Sequence, residues 1–182
     1  MARAVRPVFL GMEPSQAPEV VELVSLGRRL GARLGPRATG GLAMRNGLRC
    51  IVTAAEPPFA ALGLGDFVEV ADFDPHTGQI FCLGTRPPDA DAPLFSMLFR
   101  AKAEIGALAE LRLAAGHAVL KDVEAVERDA RPLLVATEVL RLLRETDTVA
   151  LGGSDLLVVA KTLPALTRRL DALLPTPPEA LP

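Results

Sequence analysis

The sequence predicts a layered α+β protein, with helices packed on a mostly antiparallel sheet. Two observations carry this. In the middle of the chain, turn signals at Asn46-Gly47 and at Pro75-His76-Thr77-Gly78 each separate two short apolar runs, the pattern of β-hairpins. Helical periodicity lies before and after these hairpins, which argues against a wound parallel sheet with alternating strands and helices.

The elements follow in order. Residues 1–17 contain Pro7 and Pro14 with little periodicity and read as an arm or poorly ordered leader. Over Glu19–Leu34, Val20, Val21, Leu23, Val24, Leu26, Leu30 and Leu34 fall largely on one face, with Glu22, Arg28, Arg29 and Arg33 opposite, so a helix is expected until Gly35-Pro36 stops it. The first hairpin joins strands near 42–45 and 50–53; the second joins 67–72 and 79–83. A helix near 92–102 and a strand near 107–113 come next. Residues 123–145 read as helix interrupted near Pro132. Strands near 148–151 and 156–160 and a helix over 163–174 complete the domain, taken as 18–174. The tail 175–182, PTPPEALP, is too rich in proline for regular packing.

Composition excludes several function classes. With 182 residues and 49% hydrophobic content, the chain suits one domain with a sizeable core. A net charge of −2 gives no electrostatic footprint for nucleic acid, and the absence of Trp and Tyr removes the best stacking side chains. No run approaches the ~18 apolar residues of a membrane span, and the N-terminus lacks a signal-peptide core. Cys50 and Cys82 form no C-x-x-C pair and read as buried, reduced thiols of a cytoplasmic protein.

The chemistry-bearing stretch is Pro88–Arg112, PDADAPLFSMLFRAKAEIGALAELR. It resembles, without a gap, the metal-site segment of the class II aldolase/adducin family. There a Pro-Ser-Ser-Glu helix start is followed by a helix, a strand and a His-x-His pair that holds a catalytic zinc. The Ser-Ser-Glu positions here read Asp89, Ala90 and Asp91, and the His-x-His positions read Glu110-Leu111-Arg112. The family's third histidine position falls on Ser154. A guanidinium stays protonated and has no lone pair to give a metal, so no metal is expected at the site and no cofactor is called. The two histidines, His76 and His117, match no ligand position. The resemblance spans roughly residues 24–174 and weakens between 114 and 131.

The resemblance implies a three-layer α/β/α sandwich with a central, mostly antiparallel sheet. It also implies a pocket built by four loops. A Gly-Asn-Ile-Ser-x-Arg run reads Gly40-Gly41-Leu42-Ala43-Met44-Arg45 here, preceded by Thr39. An Ile-Thr-Pro-Ser-Gly run reads Val52-Thr53-Ala54-Ala55-Glu56. The implied ligand pocket is therefore Thr39, Gly40, Gly41, Arg45, Thr53, Glu56, Asp89, Arg112 and Ser154. Asp91 takes the family's acid/base position and, with Glu110, is the candidate catalytic pair. An aspartate at a helix start also serves as an ordinary cap. Glu56 and Asp89 replace phosphate-binding donors with carboxylates, which disfavours a phosphorylated substrate.

Two alternatives stay open for the acidic group. Glu56, Asp89, Asp91 and Glu110 offer oxygen ligands of the kind a hard cation takes, or Arg112 pairs with Glu110 or Asp91. The function expected is binding or assembly without zinc-dependent aldol cleavage, for which adducin's head region is the family precedent. The alternative is a lyase-like enzyme acting on an unphosphorylated carbonyl or sugar-derived compound. An unknown small-molecule ligand and a homo-oligomer are the expected partners, with no nucleic acid and no membrane.

Overall fold

The computed structural model describes residues 5–55, 57–113, 117–128 and 132–174. Nine strands form one sheet: β1 (Arg6–Gly11), β2 (Gly40–Asn46), β3 (Arg49–Thr53), β4 (Phe67–Asp74), β5 (Gln79–Leu83), β6 (Ala107–Arg112), β7 (Ala125–Val126), β8 (Thr148–Leu151) and β9 (Asp155–Ala160). Their order is β1-β5-β4-β3-β2-β6-β9-β8-β7. Among the described residues only the two outermost pairings, β1 with β5 and β7 with β8, are parallel. Four helices, α1 (Glu19–Leu34), α2 (Ala92–Ala101), α3 (Pro132–Leu142) and α4 (Leu163–Leu173), cover the two faces.

The period of two along each strand divides the core. Val52, Val70, Leu108, Leu157 and Val159 join α2 and α3 on one face. Leu42, Ile51, Ala109, Leu111, Leu156 and Val158 join α1 and α4 on the other. The result is the expected three-layer α/β/α sandwich around a largely antiparallel sheet. β6 is buried on both faces and central, so its one acidic residue, Glu110, sits on the α2 face of the molecule's interior.

Three sequence expectations are corrected. Part of the expected arm is a strand: residues 6–11 pair with β5, and the Arg6 amide donates to Gly78 O at 3.0 Å. Pro7 is tolerated because an edge strand leaves alternate amides unpaired. The first hairpin turns one residue later than predicted. Asn46 pairs with Arg49, and Gly47, with φ of 61°, takes the first loop position, where hairpin turns require positive φ. The helix expected from 123 begins instead at Pro132, whose missing N–H and preset φ suit a first turn rather than an interior. Before it lie a single helical turn at Ala118–Leu120 and β7. The tail 175–182 lies outside the described residues.

α1 packs unusually close to the turn at Phe59–Ala61. A Cβ built on Gly31 would lie 2.5 Å from Ala60 N, a backbone atom that cannot rotate away. Gly31→Ala is therefore expected to destabilise by about 1–3 kcal/mol, although alanine is the better helix former by roughly 1 kcal/mol. A urea unfolding midpoint equal to or above wild type would show that the two segments can separate freely.

Candidate functional site

The site forms where the N-terminus of α2 meets the ends of β6 and β9. Glu110 and Arg112 are two apart on β6 and share a face, and Asp155 stands across from Arg112 in the β6–β9 register. The loop before α2 is laid along the end of β3: the Asp89 amide donates to Thr53 O at 3.0 Å, and the Ala55 amide to Pro87 O at 3.0 Å. Asp89 Oδ1 then accepts the Asp91 amide at 3.0 Å, fixing both carboxylates above β6. Asp91 occupies the N-cap position of α2, yet its side chain caps nothing. It turns to the arginines instead.

Carboxylate oxygens of Asp89, Asp91 and Glu110 lie within 4.8 Å of one another. Arg128, just after β7, inserts its guanidinium among them. It bonds Asp91, donates to Glu110 Oε1 at 2.6 Å, and pairs with Asp155. Arg112 sits further out, 3.3 Å from Asp89 Oδ2 and 3.5 Å from Asp91 Oδ2. Exposure is graded: Glu110 is 0% accessible, whereas the Arg112 and Arg128 side chains keep 37% and 31%. Four carboxylates thus lie beneath two guanidiniums.

Burial pushes the Glu110 carboxyl up to about 8, helped by the Asp91 and Asp89 charges and opposed by Arg128. Its Oε2 is buried with no hydrogen-bond partner among the described residues. Burial also raises Asp89, against the pull of the Asp91 amide and Arg112. Both thiols are buried. Burial drives Cys50 up to about 12 and also raises Cys82, so neither serves as a ready nucleophile.

The remaining predicted pocket residues divide into two groups. Thr39 O accepts the Arg112 amide at 3.0 Å, and Gly40 and Gly41 run beside β6. A Cβ on Gly41 would meet the Phe95 ring at 2.7 Å, which is the physical reason a glycine stands there. Ser154 Oγ donates to Asp155 Oδ1 at 3.1 Å and so touches the cluster's rim. Thr53 is committed to the sheet: its hydroxyl accepts the Leu42 amide at 3.2 Å. Arg45 is a correction. It lies at the opposite end of α2, about 15 Å along the helix axis, where it donates to Phe99 O, Lys102 O and Ile105 O and caps the helix C-terminus. Glu56 lies outside the described residues.

Arg128 and Asp155 were missed by sequence reasoning. Asp155 left a signal, an acidic residue opening the buried run Leu156–Ala160. Arg128 left none, since it comes from the segment of weakest resemblance. At the three positions that the resemblance aligns with zinc ligands stand Glu110, Arg112 and Ser154: a carboxyl, a guanidinium with no lone pair to give a metal, and a hydroxyl.

No family model and no curated protein sequence matches the chain. Among solved structures, an L-fuculose 1-phosphate aldolase is similar at 16% identity and a TM-score of 0.66, covering 88% of this chain and 84% of that one. The Thermotoga maritima sugar-phosphate aldolase is similar at 10% identity and a TM-score of 0.68, over 85% and 89%. An aldolase II superfamily protein from Pseudomonas syringae shares 18% identity at a TM-score of 0.64, over 86% and 72%. With its largely antiparallel sheet between two helical layers, the chain has the class II aldolase fold.

Proposed function

We propose that this chain is a degenerate class II aldolase-fold protein that acts by binding or assembly, without zinc-dependent aldol cleavage. The observation that carries the reading is the Arg128 guanidinium bridging Asp91, Glu110 and Asp155. A divalent cation seated there would face both Arg128 and Arg112. The hydroxyl donors of the resembled phosphate loops are replaced by Ala55, Asp89 and Ala90, so an unphosphorylated small molecule is the favoured ligand class. Self-association and a cytoplasmic location belong to the same reading; no helix among the described residues is long and apolar enough to cross a membrane.

One observation favours the second reading, a lyase-like enzyme on an unphosphorylated carbonyl compound. Glu110 holds its proton to about pH 8 and leaves Oε2 unpartnered, a combination suited to a general acid, with Asp91 as its neighbour. Elemental analysis of protein prepared without chelator, followed by calorimetric titration with dihydroxyacetone phosphate, tests the leading reading. The expected result is no stoichiometric zinc and no saturable heat at neutral pH. One zinc per chain held with nanomolar affinity sinks it.

A further inference from the structure

We propose that Arg128 is a tethered cation closing a hard-cation site built by Asp89, Asp91 and Glu110, with Asp155 holding its other nitrogen. Without that guanidinium the chain binds one divalent cation of the manganese and magnesium class. This deepens the reading of a degenerate metal centre and rests on it. The argument starts from charge. Four carboxylates gathered at one buried place repel one another unless a cation or protons intervene, and Arg128 reaches three of them. Oxygens of Asp89, Asp91 and Glu110 within 4.8 Å of one another are spaced for one ion. An all-oxygen set suits a hard cation and disfavours zinc.

The second observation is independent of that spacing. Among the described residues Glu110 Oε2 has no hydrogen-bond partner while its residue is fully buried, so the guanidinium leaves one of that carboxylate's two oxygens unused. A planar fork reaches Glu110 through one oxygen only, whereas a spherical ion can take both. Arg112 does not close the site in the same way. Its contacts are the longer ones, 3.3 and 3.5 Å, and its more exposed side chain can turn outward. The Arg128 side chain keeps 31% of its surface in water, so shortening it opens the place of the guanidinium to water ligands.

The test uses Mn²⁺ alone as the probe, followed by the loss of its free electron-paramagnetic signal. Arg128→Ser and Arg128→Met are each titrated beside the full wild-type chain. The expected result is one bound manganese per chain in both variants, with Kd on the order of 10⁻⁵ M, and at least tenfold weaker binding in wild type. Adding Glu110→Gln to Arg128→Ser should weaken that binding at least tenfold. A variant that unfolds without metal but folds as manganese is added also supports the proposal, because the ion binds only the folded state. Folded variants that bind no more manganese than wild type overturn it. So do variants that stay unfolded at millimolar manganese. Wild type binding as tightly as the variants shows that Arg128 closes nothing, and overturns the proposal too. Failure of the variants to bind leaves the zinc test on wild type unaffected, so the two readings fail separately.

Discussion

Replacing Arg128 by methionine should cost about 3 kcal/mol of folding stability in metal-free buffer, at the lower end of what breaking a buried ion pair costs. The side chain serves Asp91, Glu110 and Asp155 at once. Methionine keeps the volume of the stem and removes every donor. Asp155 then loses its guanidinium partner while staying largely desolvated, and Asp91 keeps only the longer 3.5 Å contact to Arg112, which is the more expensive half of such a change. The figure sits at the lower end because the side chain keeps 31% of its surface in water. The loss should shrink as pH falls, since protons can neutralise the stranded carboxylates. Urea unfolding at pH 5 and pH 7.5 reads both effects; a variant within 0.5 kcal/mol of wild type at both values, inside the usual range of surface substitutions, would mean that the network is ornamental.

Glu110 should make the protein less stable as pH rises from about 5 to 8. The folded chain holds its proton to about pH 8, while the unfolded chain releases it near the ordinary value of 4.5. Between those limits the folded state binds more protons, so stability is fully present below the ordinary value. It is lost as pH climbs through the folded one. The slope reaches at most about 1.4 kcal/mol per pH unit. Asp89 is raised too, and adds the same sign at the acid end. Glu110→Gln keeps the shape, supplies donors toward Asp91 and carries no titrating proton. Its profile should be flatter and should cross above wild type by pH 8. Parallel profiles for the two proteins, in denaturant melts at four pH values, would show that Glu110 is ionised in the fold.

The hairpins, α1 and the strands around the site were legible because each rests on local chemistry. Gly47 and Gly78 mark turns with positive φ, and the apolar stripe of Glu19–Leu34 marks one buried face. The register of the first turn was not, because Asn46 and Gly47 both tolerate a turn and only the pairing with Arg49 decides between them. β1 was hidden by Pro7, which is forbidden in a central strand and allowed at an edge. The carboxylates of the site could be read from the resemblance, whose motif positions fall on Asp89 and Asp91 at the α2 entry and on Glu110 in β6. Arg128 could not, because its position depends on long-range topology. β7 joins the sheet through β8, 22 or more residues further on, and that pairing delivers Arg128 to the cluster. Arg45 was read into the site from its motif alone, while its guanidinium is satisfied by carbonyls at the far end of α2.

Phe95 ties the glycine at position 41 to the packing of α2. Its ring fills the space that any side chain at position 41 would need, 2.7 Å from where a Cβ would stand. An asparagine does not fit at that position while the ring stays where it is. The ring in turn is part of the core that anchors α2 to the sheet. Placing a longer side chain at position 41 therefore requires a change at Phe95 as well, and the two positions are expected to vary together rather than one at a time.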